Sequence, residues 1–186
     1  EAQSNTVTVT KTGSITTGTG GTYAFGIFNR GNKNITTMSG IISTVGFSSH
    51  GIYNKGDTNT TTVSGSIETT GAGADGIYIY SDNNNTTMSG SITTTGYESY
   101  GIHNEGGENI TTVSGSITTG DVVEGTGEFA SGIYNDGTYS KTTVSEAGSI
   151  TTTGYKADGI HNVRSNNTTT MSGIISTVGS SSYGIY

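Results

Sequence analysis

The dipeptide Gly-Ile recurs at Gly26, Gly51, Gly76, Gly101, Gly132, Gly159 and Gly184, in steps of 25, 25, 25, 31, 27 and 25 residues. A second marker, Ser-Gly with Ile two places on, falls at Gly40, Gly65, Gly90, Gly115 and Gly173, with variants at Gly13 and Gly148. An internal repeat of this length restricts a chain to architectures that stack one small unit on the next.

Each unit reads Asn-x-Thr-Thr-Val/Met-Ser-Gly-x-Ile-x-Thr-x-Gly. Thr61, Val63, Gly65, Ile67 and Thr69 alternate with Thr62, Ser64, Ser66, Glu68 and Thr70, which are all polar. Alternation with a period of two is the pattern of a strand, and no stretch shows an apolar helical period. Thr, Val and Ile also favour strands. Gly71 and the Gly56-Asp57 pair are expected to supply positive φ at corners.

A unit of this size holds two or three short strands, and alone it cannot bury its Val and Ile side chains; stacked units can. The expectation is an all-β, right-handed parallel β-helix (a β-solenoid) of about seven coils, forming one domain over residues 1–186, with the hand taken from the rule for parallel crossovers. Coils about 4.8 Å apart would make a rod roughly 34 Å long. Three interior rows are predicted. The first is Ile27, Ile52, Ile77, Ile102, Ile133, Ile160 and Ile185; the second is Ile15, Ile42, Ile67, Ile92, Ile117, Ile150 and Ile175. The third is Met38, Val63, Met88, Val113, Val144 and Met171. The irregular steps place extra residues in corner loops at Gly18 to Ala24 and Gly120 to Ala130, where they leave the strands undisturbed.

Composition argues against several function classes. The net charge is -7 with seven Lys and Arg in total, so no basic stripe is available for phosphates and nucleic acid is not an expected partner. No apolar run approaches the roughly 20 residues of a membrane span. There is no Cys and no Pro, hence no disulfide framework. The chain opens on Glu1, which fits a processed, secreted or cell-surface protein.

Segments such as Thr-Thr-Val-Ser-Gly-Ser-Ile-Thr-Thr-Gly and Ser-Tyr-Gly-Ile-His-Asn resemble the repeats of autotransporter passenger domains, over essentially the whole chain. The resemblance implies a long right-handed β-helix on a bacterial surface and, in many members, adhesion to host proteins or glycans. It implies neither a cofactor nor a catalytic set.

The histidines are His50, His103 and His161. His103 and His161 share a column with Phe28, Tyr53, Tyr78, Tyr134 and Tyr186, one place after the interior Ile. Alternation turns that column outward, so an exposed row of stacked rings is expected; a general base is the sharper alternative. Glu68, Asp75, Glu98 and Asp158 read as scattered, without the carboxylate and basic cluster of a polysaccharide-cleaving enzyme, and no enzyme is expected. Asp57, Asp82 and Asp136 read as solvated turn residues without a steady column, the calcium-binding nonapeptide repeat being absent. Asn34, Asn59, Asn84, Asn109 and Asn167 each begin an Asn-x-Thr sequence. They read either as a turn ladder of stacked amides or as glycosylation acceptors on an exposed corner. A second row, Asn29, Asn54, Asn104, Asn135 and Asn162, broken by Ile79, reads as an interior or corner ladder. Two outward hydroxyl rows, from Thr37 to Thr170 and from Ser39 to Ser172, fit good exposed strand residues; ice binding is the alternative.

The chain reads as uncapped at both ends. It starts with the alternating Thr6, Val7, Thr8, Val9 and Thr10 and stops at Ile185-Tyr186, in mid-coil. Joining Tyr186 to Glu1 of a second copy makes the interval between markers 2 + 13 = 15 residues, against the usual 14 from Gly51 to Gly65. The expected partner is therefore the chain itself, stacked head to tail into a filament or surface layer through those residues and Ile175.

Overall fold

The computed structural model describes residues 4–18, 21–120 and 129–186. Among the described residues all regular structure is strand, arranged as a parallel β-solenoid with three sheets running along its axis. The first sheet has seven strands: Thr6–Val9, Ile35–Met38, Thr60–Val63, Asn85–Met88, Ile110–Val113, Lys141–Val144 and Thr168–Met171. The second follows after the Ser-Gly corner with Ser14–Thr16, Ile41–Phe47, Ser66–Thr70, Ser91–Thr95, Ser116–Gly120, Ser149–Thr153 and Ile174–Val178. The short strand Gly21–Thr22 also pairs with Ile41–Phe47. The third sheet holds Ile27–Asn29, Ile52–Asn54, Ile77–Ile79, Ile102–Asn104, Ile133–Asn135 and Ile160–Asn162, and Ile185 adds one further bridge to Ile160.

Register matches the sequence repeat: Thr87 pairs with Thr62 and Thr112, and Ile77 pairs with Ile52 and Ile102. The three predicted apolar rows face one common interior. Ile52, Ile77, Ile102, Ile133 and Ile160 are fully buried, as are Ile42, Ile67, Ile92, Ile117 and Ile150 and the row from Met38 to Val144. The row ends Ile15, Met171 and Ile175 are half-buried, and Ile185 is exposed. Full burial of one such side chain contributes about 1.5–3 kcal/mol.

Two glycine columns exist because of close approach between coils. A Cβ at Gly90 would lie 1.9 Å from the carbonyl oxygen of Gly65, and one at Gly76 would lie 2.3 Å from Cγ2 of Ile92. The Ser-Gly and Gly-Ile markers are therefore the places where stacked chain leaves no room for a side chain. Gly71 does adopt φ +137°, as its corner position suggested. Gly56 does not show positive φ; a Cβ there would meet the carbonyl of Gly31. The left-handed residue of that corner is Thr58, and its equivalents Lys33, Asn83, Glu108, Tyr139 and Asn166 share the conformation.

Polar residues line part of the interior, and most are matched to a neighbour; among the described residues the buried hydroxyls of Thr86 and Ser140 are not. The second Asn row is interior: Asn29 donates to Oδ1 of Asn54 at 2.7 Å, and Asn104 donates likewise to Asn135 at 2.7 Å. The same amides reach the Thr seven residues on, as Asn54 to Thr61 at 2.9 Å and Asn135 to Thr142 at 3.1 Å. Ile79 takes the rung between Asn54 and Asn104, and Thr86, seven residues after it, is left with a buried hydroxyl that has no hydrogen-bond partner.

The Asn-x-Thr row is also interior at most positions. Asn34, Asn59, Asn84 and Asn109 are at most 1% exposed. Each Oδ1 accepts the backbone N–H of the equivalent residue one coil earlier, as Asn84 from Asn59 at 2.8 Å and Asn109 from Asn84 at 2.7 Å. The amide nitrogen turns back to a carbonyl three residues earlier, Ser81 for Asn84 and Gly106 for Asn109. The ladder joins side chain to backbone instead of amide to amide, and the exposed corner a glycan requires is missing at these four residues. Asn167 is half-buried with the same pattern, its Oδ1 accepting from Ser140 at 2.8 Å. Asp57 and Asp82 do share a column, with Asn32, and stitch exposed turns through backbone N–H groups; Asp136 lies elsewhere and pairs with Arg164 at 3.0 Å. Most of the Gly120–Ala130 loop lies outside the described residues, as do residues 19–20 of the loop near Gly18.

Candidate functional site

The outer side of the third sheet carries the most chemistry. Its ring column stacks in chain order: Phe28 on Tyr53 at 5.1 Å, Tyr53 on Tyr78 at 4.9 Å, and Tyr78 on His103 at 4.8 Å. Tyr134, His161 and Tyr186 continue it, with centroids 5.2, 5.1 and 4.7 Å apart from His103 onward. The row expected to be exposed is half-buried through its middle, and only its ends, Phe28 at 47% and Tyr186 at 61%, stand open. Each inner ring is covered by its neighbours in the adjacent coils and by a second column beside it.

That second column is the residue just before each Gly-Ile pair: Phe25, His50, Asp75, Tyr100, Ser131, Asp158 and Tyr183. Four of its side chains, His50, Asp75, Ser131 and Asp158, each accept a backbone N–H of the following coil. Asp75 Oδ1 accepts the N–H of Tyr100 at 2.7 Å, Asp158 Oδ1 accepts that of Tyr183 at 2.6 Å, and Ser131 accepts that of Asp158 at 3.2 Å. His50 Nδ1 accepts the N–H of Asp75 at 3.1 Å, which assigns the proton of His50 to Nε2 in its neutral form.

The two columns meet in a carboxylate–imidazole cluster. Asp75 is buried, and its Oδ2 lies 3.2 Å from Nδ1 of His103 and 3.5 Å from Nδ1 of His50. A second pair forms within one coil, His161 Nδ1 to Asp158 Oδ2 at 2.8 Å. In both pairs the carboxylate holds Nδ1, so the imidazole donates there and keeps Nε2 as its remaining polar atom. Tyr78 donates its phenol hydrogen to Glu105 Oε2. Asp75 and Asp158 are thus not scattered, contrary to the sequence-based expectation; Glu98 lines the same groove, whereas Glu68 lies on the second sheet. The two Asp residues could have been found by aligning the position before Gly-Ile, where His50 also falls.

Burial sets the electrostatics. It lowers the pKa of His50, an effect partly offset by the charge of Asp75 and reinforced by His103. Burial likewise pushes the phenols of Tyr78 and Tyr100 far up, helped at Tyr78 by the hydrogen bond to Glu105 and at Tyr100 by the repulsion its phenolate would meet from Tyr134, Asp75 and Glu98. Tyr53 and Tyr134 are raised for the same first reason. All four remain neutral hydroxyls in ordinary buffers.

Between the ring column and the corners lies an open groove of about 590 Å³ reaching from Phe25 to Asp136, floored by His50, Asp75, Tyr78 and His103. A neighbouring depression at the last coils is lined by Phe129, Lys156, Asp158, His161 and Tyr183, with the Lys156 ammonium 5.2 Å from the rings of both Phe129 and Tyr155. Among the described residues no group of three or more His, Asp or Glu is placed to hold a metal ion, and no helix is long and apolar enough to cross a membrane.

The residues expected to mediate end-to-end assembly lie on the outermost strands. Thr6–Val9 pairs on one side with Ile35–Met38; Thr6, Thr8 and Thr10 are exposed, Val7 is half-buried and Val9 is buried. At the other end Ile175 is half-buried and Ile185 and Tyr186 are exposed. Compared with protein-family models, curated proteins and solved structures, the chain finds no match in any of the three.

Proposed function

We propose that this solenoid is a structural, non-enzymatic segment of an extracellular filament or surface layer, elongated by pairing of one coil with the next. What carries the reading is the constancy of that pairing: each strand of the first sheet meets its neighbour in the same register, from Thr6–Val9 to Thr168–Met171. An outermost strand with free N–H and C=O groups can accept one more coil in that register, either from continuing chain or from a second copy. A second copy stacked on Thr6, Val7, Thr8, Val9 and Thr10, facing Ile175, Ile185 and Tyr186, is a heterologous contact that never closes and so makes a fibre.

Electron microscopy of the purified 186-residue chain at micromolar concentration tests this. Unbranched fibres with an axial repeat of roughly 34 Å are the expected result. Short dispersed rods at every concentration would overturn self-assembly.

A second reading is favoured by the groove: an adhesive stalk of the autotransporter-passenger type, in which the coils present the His and Tyr face to surface glycans or host proteins. The two readings share a rigid rod on the cell exterior and differ in whether contacts lie at the ends or along one side. Fibres that form equally well after substitutions in the groove would separate them.

A further inference from the structure

We propose that the groove along the third sheet binds a neutral, hydroxyl-rich chain, an oligosaccharide, with the Asp75–His103 and Tyr78–Glu105 pairs as its polar floor. This deepens the adhesive reading and rests on it, but not on fibre formation.

Three other ligand classes fit less well. Asp75, Glu98, Glu105 and Asp136 line the groove, and among the described residues no Lys or Arg does, so an anionic chain meets repulsion. A peptide added as a strand needs free backbone groups. The strands under the groove already have theirs paired with the coils on either side, as Ile77 with Ile52 and Ile102. A flat cation would want open ring faces, whereas the faces here are turned to one another at 4.8 to 5.1 Å.

What remains at the surface are ring edges and polar atoms with fixed roles. Asp75 is committed to the N–H of Tyr100 and to Nδ1 of His103, which leaves the Nε2 atom of His103 to meet a ligand hydroxyl. Glu105 holds the Tyr78 hydroxyl in place and keeps free acceptor capacity, since a carboxylate has about four lone-pair sites. Rigid donors and acceptors set among ring edges match a ligand with hydroxyl groups at regular intervals and little charge. The groove runs across successive coils, from Phe25 to Asp136, so a chain of sugars should bind better than one unit.

The experiment is isothermal titration of the intact protein with cellohexaose, mannohexaose and chitohexaose, with hexagalacturonate and spermine as anionic and cationic probes. Binding by at least one neutral hexasaccharide is expected, weakening about tenfold or more when the probe is cut to its disaccharide. His103→Phe keeps a ring of the type already present at Phe28 while removing both nitrogens. It should lower that affinity about tenfold; because it also takes a partner from the buried Asp75 carboxylate, the titration is run well below the variant's own melting temperature. No binding by any neutral hexasaccharide at millimolar concentration overturns the proposal, as does tighter binding of either charged probe. Unchanged affinity in His103→Phe also overturns it. Fibres seen by microscopy alongside a silent titration would leave the filament standing and remove the groove.

Discussion

Thr86 sits where one interior rung is missing. Its counterpart Thr61 accepts a hydrogen bond from Asn54 at 2.9 Å, while Thr86 follows Ile79 and has no partner. A buried hydroxyl without a partner costs about 1–3 kcal/mol, so Thr86→Val should raise stability by roughly 1 kcal/mol. Thr61→Val, which strips the acceptor from Asn54, should lower it by about 1–3 kcal/mol. Urea unfolding of both variants beside the wild type checks the pair; equal effects would mean the missing rung is immaterial. His50 supplies a pH dependence. Because burial lowers its pKa, the unfolded chain binds a proton there that the folded chain refuses. Stability should therefore fall as pH drops below about 6.5, the unfolded value, and be insensitive to His50 above it. Asp75 moderates that loss and His103 deepens it. His50→Phe should flatten this part of a melting-temperature profile between neutral and mildly acid pH.

At the scale of the strand and its corner, backbone spacing sets the constraint. The first and second sheets meet at the Ser-Gly corner, where Gly90 lies against the carbonyl of Gly65. Gly90→Ala puts a methyl 1.9 Å from that oxygen, and since the opposing atom is backbone, two coils must separate. A loss above about 4 kcal/mol is expected, read as loss of the cooperative transition or of soluble protein. Gly31, where a Cβ would make only an ordinary 3.7 Å contact with Nδ2 of Asn34, is the control: Gly31→Ala should shift stability by less than about 1 kcal/mol. Strand identity follows simply from Thr, Val and Ile in alternation. The left-handed residue in the adjoining corner does not, because Thr58 and Lys33 occupy it where local preference would place Gly or Asn.

Over the whole molecule, stability is a sum of coils and the contacts between neighbours. Removing residues 76–100, one 25-residue period, brings Asp75 next to Gly101 and keeps every row in register. The shortened chain should fold with the same circular dichroism, unfold at a lower temperature, and form a rod about 4.8 Å shorter by small-angle scattering. Removing 12 residues instead should leave it unfolded, because half a coil puts outward residues into the interior. If both deletions fold equally well, the coils are not the independent unit.

The spacing of Gly-Ile and Ser-Gly, with Ile, Val and Met between them, was enough to specify parallel coils, their number and their interior rows. Each row depends only on positions one period apart, and such positions are adjacent in any solenoid. The candidate site was half legible for the same reason. The column from Phe28 to Tyr186 could be aligned from sequence, yet its burial could not, since that depends on a neighbouring column three residues earlier leaning over it. Asp75 and His103 lie 28 residues apart, slightly more than one coil, so their contact joins different columns of different coils. Glu105 meets Tyr78 in the same diagonal way. A repeat determines which residues stack; only the tertiary structure, through side-chain direction and the width of the corner, decided which stacks touch.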